Sequence, residues 1–185
     1  ALGAVRQITT IPIVGVVPAI KPAAQLTQSK HIGLLATPAT ISSPYTRTLI
    51  QEHTNNIAVS LYSSVELVTL AERLFFEQSL DTTKLHQELD RLNIDQSIDV
   101  LVLGCTHFPI LAEPISQYFN RKVQLLDSGA AIAKRVHYLI SQLNLTNNNI
   151  ADTKKPLQYY ATASVSSKLA VKLVTLIDPA QNEER

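Results

Sequence analysis

The chain has 185 residues, of which 45% are hydrophobic, 17% charged and 5% aromatic, and its formal net charge is +1. This apolar fraction excludes a disordered chain, and the single Cys excludes a scaffold of intramolecular disulfides. No basic run indicates a nucleic-acid partner, and no apolar stretch approaches the roughly 20 residues that cross a bilayer. Since the first residues also lack a signal-peptide pattern, we expect a cytoplasmic protein that binds neither nucleic acid nor membrane.

The opening residues 1–8 have the pattern of a helix end. No Ser, Thr, Asp or Asn precedes them as a cap, and the chain contains no Met. The pattern therefore predicts the tail of a helix that starts upstream, and with it a chain that is a piece of a longer protein.

Short apolar runs then alternate with segments of helical periodicity, which is typical of βα units around a mostly parallel sheet. We therefore expect an α/β fold. The predicted strands are 11–17, 31–37, 57–61, 98–104, 123–127 and 157–161. The predicted helices are 23–27, 44–53, 64–78, 81–92, 109–119, 130–143 and 166–177.

Three predicted helices carry local start signals. Ser43 precedes a proline in the first turn, Asp81 precedes the helix 81–92, and Ser128 follows a strand and precedes the helix 130–143. The periodicity predicts that the helix 81–92 buries Leu85, Leu89 and Leu92. It also predicts that the helix 130–143 has one apolar face, made of Ile132, Val136, Leu139, Ile140 and Leu143. The segments 18–22 and 127–129 are predicted joints between lobes.

The most informative segment is 98–109, with the sequence IDVLVLGCTHFP. Its apolar run predicts a strand buried on both faces, and Cys105 follows where the chain turns into the next helix. Ligands of open α/β sheets bind beyond the carboxyl ends of strands, and a helix N-terminus favours the thiolate. His107 could orient the thiol or exchange protons with it, and Thr106 could contact a substrate carboxylate.

Other interpretations of this segment stay open. A lone Cys beside an apolar strand is most often a small buried hydrophobe. A zinc site lacks further ligands at suitable spacing, so we expect no metal. A Cys–His hydrolase would need an orienting third group and an oxyanion hole that the sequence does not locate.

Outside this segment, Thr40 and Glu72 are the polar residues of most interest. Thr40 follows the predicted strand 31–37 and could bind a carboxylate, or it could serve only as a turn or cap residue. Glu72 interrupts a weakly polar helix, a position that is more often a solvated surface than a catalytic site. The remaining histidines have no partner at a telling spacing and are expected to be structural or surface residues.

Four segments together resemble bacterial glutamate racemases, of the aspartate/glutamate racemase superfamily. They are residues 15–23 (GVVPAIKPA), residues 34–37 with Thr40, Ser43 and Tyr45, residues 103–109 (LGCTHFP) and residues 126–133 (LDSGAAIA). Their order and spacing match the family to about residue 143, and beyond it the match is limited to residues 159–162.

The resemblance implies two similar α/β lobes with mostly parallel sheets and flanking helices, and an active site in the cleft between them. By this comparison residues 1–18 and 129–178 would be the remainder of an incomplete first lobe. Residues 19–128 would form the second lobe, which carries Cys105, and residues 179–185 a frayed tail.

The resemblance also implies racemisation of glutamate without a cofactor, by two cysteine bases on opposite faces of the α-carbon. Cys105 matches the second cysteine, the one that works on the L-glutamate side. His107 matches the histidine that assists it, and Glu72 an acidic residue that supports this histidine. Thr106 and Thr40 match substrate contacts. The family's first cysteine lies in an Ala-Cys-Asn-Thr-Ala-Ser turn upstream of residues 15–20, and this chain begins after it.

The sequence therefore predicts the C-terminal part of a glutamate racemase that supplies D-glutamate for peptidoglycan, inactive or poorly active by itself. Within the superfamily, an aspartate or other amino-acid racemase is the alternative. From another class, the alternative is a non-catalytic α/β ligand-binding module in which Cys105 is structural. A homodimer is compatible with the sequence.

Overall fold

The computed structural model describes residues 2–143, whereas residue 1 and residues 144–185 lie outside the described part. The predicted strand 157–161, the predicted helix 166–177 and the predicted tail 179–185 fall outside the described residues.

The described part of the chain forms one parallel four-stranded sheet in the order β2-β1-β3-β4. Its strands are β1 (His31–Ala36), β2 (Ala58–Ser63), β3 (Val100–Leu103) and β4 (Gln124–Leu126). The α/β class and four of the predicted strands are thereby confirmed. All four strands run in the same direction, so their carboxyl ends meet at one edge of the sheet.

Helices connect and cover these strands. In chain order they are α1 (Leu2–Gln7), α2 (Ile20–Leu26), α3 (Pro38–Ser42), α4 (Pro44–His53), α5 (Glu66–Glu77), α6 (Thr82–Leu92), the 3-10 helix Phe108–Leu111, α7 (Ala112–Tyr118) and α8 (Gly129–Gln142). Helix α2 begins earlier than predicted because Pro22 falls in its first turn, where a missing N–H costs nothing. No helix in residues 2–143 is long and apolar enough to cross a membrane.

The predicted strand 11–17 is wrong. This segment is irregular, and no described strand pairs with it. Ile11 is 71% exposed and Val16 60% exposed, while Arg6 donates a hydrogen bond to the carbonyl of Ile13 over 3.0 Å. An apolar run becomes a strand only when a neighbouring strand satisfies its backbone groups, and the described residues offer none here.

The predicted helix starts have mixed outcomes. Asp81 caps α6 as predicted, because its Oδ1 accepts a hydrogen bond from Lys84 N over 3.0 Å. Ser43 and Ser128 occupy cap positions without making a capping hydrogen bond. Ser128 instead donates to the carbonyl of Val17 over 2.8 Å, which brings the two predicted joints together in space.

Helix α8 is amphipathic, as predicted, but its apolar face is not covered by other described residues. None of its residues is buried in the described structure, and Val136, Ile140 and the following Leu143 are exposed. Ile132 and Leu139 are half-buried. Periodicity predicts that a face is apolar, but it does not specify what covers that face.

The core lies on both faces of the sheet. One core cluster packs Leu35 and Leu101 against α5, α6 and the 3-10 helix. A second packs Leu34 and Val102 against α2. Consecutive residues of β1 and β3 thus point to opposite faces and are buried on both, as predicted for strand 98–104.

Asp99 joins β3 to the loop before β1 at the amino edge of the sheet. Its carboxylate accepts hydrogen bonds from Thr27 Oγ1 and Gln28 N, both over 2.6 Å, and from Ser29 N over 2.8 Å. Burial raises the pKa of this carboxyl group, but the hydrogen bonds outweigh burial and lower the pKa to about 2.

Replacing Asp99 with Asn is expected to lower the free energy of unfolding at pH 7 by about 2 kcal/mol. The depressed pKa stabilises the fold fully above the ordinary value of 3.8, and this stabilisation is lost as the pH falls towards 2. Urea unfolding at pH 7 and pH 2.5 measures the free energy of unfolding of wild type and of Asp99→Asn. The difference between the two proteins should be smaller at pH 2.5. A difference that stays constant over this interval would contradict the assignment.

Candidate active site

Cys105 lies just beyond the carboxyl edge of the sheet, as predicted. β3 ends at Leu103, and Gly104 N still donates to Leu35 O over 2.8 Å, so the pairing with β1 extends to the residue before the cysteine. Phe108 N then donates to Cys105 O over 3.1 Å and closes the turn into the 3-10 helix. The thiol is therefore held at the end of a buried strand by backbone hydrogen bonds on both sides.

Gly104 has no room for a side chain. A Cβ atom there would lie 2.7 Å from Leu34 Cδ1 and 3.1 Å from Ala36 Cβ. The absence of a side chain lets the turn that carries Cys105 approach β1 closely.

Replacing Gly104 with Ala is expected to lower the free energy of unfolding by about 1–3 kcal/mol, because the added methyl group overpacks a rigid strand. Urea unfolding measures the loss. Gly3→Ala is the matched control, since nothing lies within 4 Å of the Cβ position in α1 and alanine favours a helix. Equal effects of the two substitutions would refute the steric argument.

Three side chains form a chain of contacts that leads to the thiol. Cys105 Sγ lies 3.7 Å from His107 Nδ1, and His107 Nε2 lies 3.4 Å from Glu72 Oε1. The cysteine and histidine come from one turn, whereas Glu72 comes from α5. Helix α5 approaches because Leu70 and Ala71 pack in the same core cluster as Phe108, the residue after His107.

The order of the three groups matches proton transfer. A carboxylate that accepts from Nε2–H leaves Nδ1 as an acceptor facing the thiol. The imidazole can then take the Cys105 proton, and Glu72 stabilises the cation that results. The Glu72 side chain is 54% exposed and that of His107 is 37% exposed, so this pair contributes little to the stability of the fold.

Two cavities flank the turn that carries Cys105. One, of about 250 Å³, is lined by Cys105, Thr106 and the residues Asp127, Ser128 and Gly129 that follow β4. The other, of about 220 Å³, is lined by Thr106, His107, Glu72 and the aromatic residues after Glu72. Cys105 therefore borders a cavity with room for a small ligand.

Thr40 lies at the same edge of the sheet but does not line the cavity at Cys105. Its hydroxyl lies 3.2 Å from that of Thr37, at the end of β1. Of the five predicted site residues, the structure thus brings together Cys105, Thr106, His107 and Glu72.

The residues that sequence reasoning missed are Asp127, Ser128 and Gly129. The sequence indicated them as a helix start and a joint, but β4 lies next to β3 and places them beside Cys105. Their position directly after a predicted strand was the available signal. The order of the strands, which makes them neighbours of the cysteine, does not follow from the sequence pattern.

The described residues thus define an α/β protein with a parallel sheet, in which a thiol, an imidazole and a carboxylate form a chain of contacts at the carboxyl edge. Residues 1–136 match the Asp/Glu/Hydantoin racemase family, and the chain belongs to that family.

Several similar proteins of known name are glutamate racemases. The chain is 46% identical to the glutamate racemase of Shewanella pealeana over 172 residues. This alignment covers 93% of the chain and 64% of that protein. The chain is 53% identical over 146 residues to that of Shewanella woodyi, over 79% of the chain and 54% of that protein. The chain thus spans less than two thirds of the length of these relatives.

Solved structures of glutamate racemases have the same fold. The Escherichia coli enzyme, in complex with L-glutamate and the activator UDP-MurNAc-Ala, superposes with a TM-score of 0.76 at 33% identity, over 96% of this chain and 65% of that one. The Francisella tularensis enzyme in complex with D-glutamate gives a TM-score of 0.69 at 26% identity, with the same coverage.

Proposed function

We propose that the full-length gene product is a cytoplasmic glutamate racemase that interconverts L- and D-glutamate and supplies D-glutamate for peptidoglycan. The observation that carries this proposal is the contact chain from Glu72 through His107 to Cys105, beside a small cavity. The substrate is proposed from the relatives described above, which are named glutamate racemases.

In this proposal Cys105 serves one face of the substrate α-carbon: it is the base in one direction of the reaction, while a second group on the opposite face returns a proton, and it is the acid in the reverse direction. The α-proton is far less acidic than a thiol, so its removal requires a thiolate in a dry cleft and a stabilised carbanion. His107 accepts the thiol proton, and Glu72 holds the ring with Nδ1 towards the sulfur. The hydroxyl of Thr106, which lines the cavity at Cys105, holds a substrate carboxylate. Thr40, at the same edge of the sheet but outside that cavity, is assigned a second carboxylate contact from the family resemblance alone.

One thiol serves only one face of the α-carbon. Direct inversion requires a second base opposite Cys105, and this chain contains no second cysteine. We assign that base to a part of the gene product outside these residues, and we expect the 185-residue chain to be nearly inactive by itself.

The arrangement of lobes follows from the same proposal. Residues 19–128 form the lobe that carries Cys105, and residues 1–18 and 129–178 belong to the other. The hydrogen bond from Ser128 to Val17 supports this division, because it places the two points at which the chain would cross between lobes side by side.

Alkylation of Cys105 in the full-length gene product tests the proposal against its alternatives. Rates of iodoacetamide labelling, followed by peptide mapping between pH 5.5 and 9, should be high well below pH 8 and should fall when glutamate is added. Protection by aspartate instead would indicate an aspartate racemase. Labelling typical of an ordinary thiol, without protection, would refute the proposal in favour of a binding module with a structural cysteine.

A further inference from the structure

Ser64 connects three elements at the start of α5. It is 2% exposed, and its N–H donates to Ala36 O at the end of β1 over 3.1 Å. Its hydroxyl accepts a hydrogen bond from Leu67 N in the first turn of α5 over 3.0 Å and donates to Glu88 Oε1 on α6 over 2.5 Å. Ser64 thereby fastens the first turn of α5 to the sheet and to the neighbouring helix.

Glu88 is a buried carboxylate that Arg91 holds with two hydrogen bonds. Arg91 Nε donates to Oε2 and Nη2 to Oε1, both over 2.7 Å, and Nη2 also donates to Ser63 O over 3.3 Å. The hydrogen bonds from Arg91 lower the pKa of Glu88, although burial opposes them. A buried charge is costly unless its partners are fixed, so this arrangement defines one geometry rather than adding much stability.

The cluster of Ser64, Glu88 and Arg91 lies at one end of the helix that carries Glu72. Eight residues separate Ser64 from Glu72, which corresponds to about 12 Å along a helix. Each residue of a helix turns by about 100°, so a shift of α5 by one residue would point the Glu72 carboxylate away from the 3-10 helix. Leu67, held by Ser64, packs in the same core cluster as Phe108, next to His107.

We propose that Ser64, Glu88 and Arg91 are positioning residues for the active site. They set the register of α5 and thereby the contact of Glu72 with His107, which in turn orients the imidazole towards Cys105. This inference rests on the proposed function, because it gives the Glu72–His107–Cys105 chain a role in proton transfer. None of the three residues lines either cavity at the cysteine.

The test follows the pH dependence of Cys105 alkylation in the full-length gene product. Glu72→Gln removes the carboxylate itself. The shift of the pH–rate profile that it causes is the reference for the other variants. Ser64→Ala and Glu88→Gln should shift the profile in the same direction, with about a threefold change in rate at pH 6.5, which corresponds to half a pH unit. Ser64→Thr keeps the hydroxyl and should restore the wild-type profile.

Asp99→Asn is the matched control for lost stability. It breaks a comparable set of hydrogen bonds to a carboxylate at the opposite edge of the sheet, so it should lower the urea midpoint but leave the alkylation profile unchanged. If Ser64→Ala does not fold, Arg91→Lys is tested in its place. The Arg91 side chain is exposed, and lysine keeps its charge but loses the paired hydrogen bonds to Glu88.

Two results would overturn the inference in distinguishable ways. If Ser64→Ala and Glu88→Gln lose stability but keep the wild-type profile while Glu72→Gln shifts it, the cluster is only structural and the proposed function stands. If Glu72→Gln also leaves the profile unchanged, the carboxylate does not act on the thiol. The role of Glu72 in the proposed function then fails together with the inference.

Discussion

Replacing Cys105 with Ala is expected to lower racemisation of glutamate by the full-length gene product about 100- to 10,000-fold, the range for loss of a general acid or base. The substitution removes the proton carrier at the cavity without adding volume. Since Cys105 is only half-buried at the margin of a core cluster, the fold should survive the change. Circular dichroism of the glutamate solution measures the rate.

The control for this prediction is Glu113→Gln on α7. Glu113 forms an exposed ion pair with Arg121, so its replacement should change neither activity nor stability appreciably. A Cys105→Ala protein that is folded and retains activity within a few-fold of wild type would remove Cys105 from the reaction.

Phe108→Ala is expected to lower the free energy of unfolding by about 3–5 kcal/mol. Phe108 is fully buried and directly follows His107, and it packs with Leu67, Leu70 and Leu111. Its loss leaves a cavity beneath the turn that carries the active-site residues. Urea unfolding monitored by far-ultraviolet circular dichroism gives the free energy.

Phe76→Ala is the matched control, because the same side chain is lost from a position on α5 where it is 41% exposed. We expect Phe76→Ala to lower the free energy of unfolding by about 1 kcal/mol, because Phe76 makes an edge contact with the ring of Phe75. Similar losses at positions 76 and 108 would contradict the assignment of Phe108 to the core beneath the site.

The fold was predictable where local pattern and tertiary environment agree. Residues 32–36 and 100–103 are apolar throughout because both faces of the sheet are covered, and Asp81 caps α6 through a hydrogen bond three residues along. The segment 11–17 has an equally apolar pattern, yet in the described structure it has no strand to pair with. Helix α8 presents the same problem, since its pattern does not reveal what lies against it.

The candidate site was predictable to the extent that it is local. Cys105 and His107 are two residues apart at the end of one strand, so their contact follows from the turn between them. Glu72 lies on a different helix, and the residue pattern alone favoured a solvated surface. Only the family resemblance connected Glu72 to His107. Ser64 and Glu88, 24 residues apart, carried no sequence signal, because their contact depends on how α5 and α6 pack.

Exchange of the α-proton of glutamate in D₂O tests the central claim most directly. The full-length gene product, without added cofactor, should incorporate deuterium at the α-carbon of L-glutamate, as followed by proton magnetic resonance, and Cys105→Ala should abolish this incorporation. Absence of exchange in the wild-type protein, or undiminished exchange of L-glutamate in Cys105→Ala, would contradict the account.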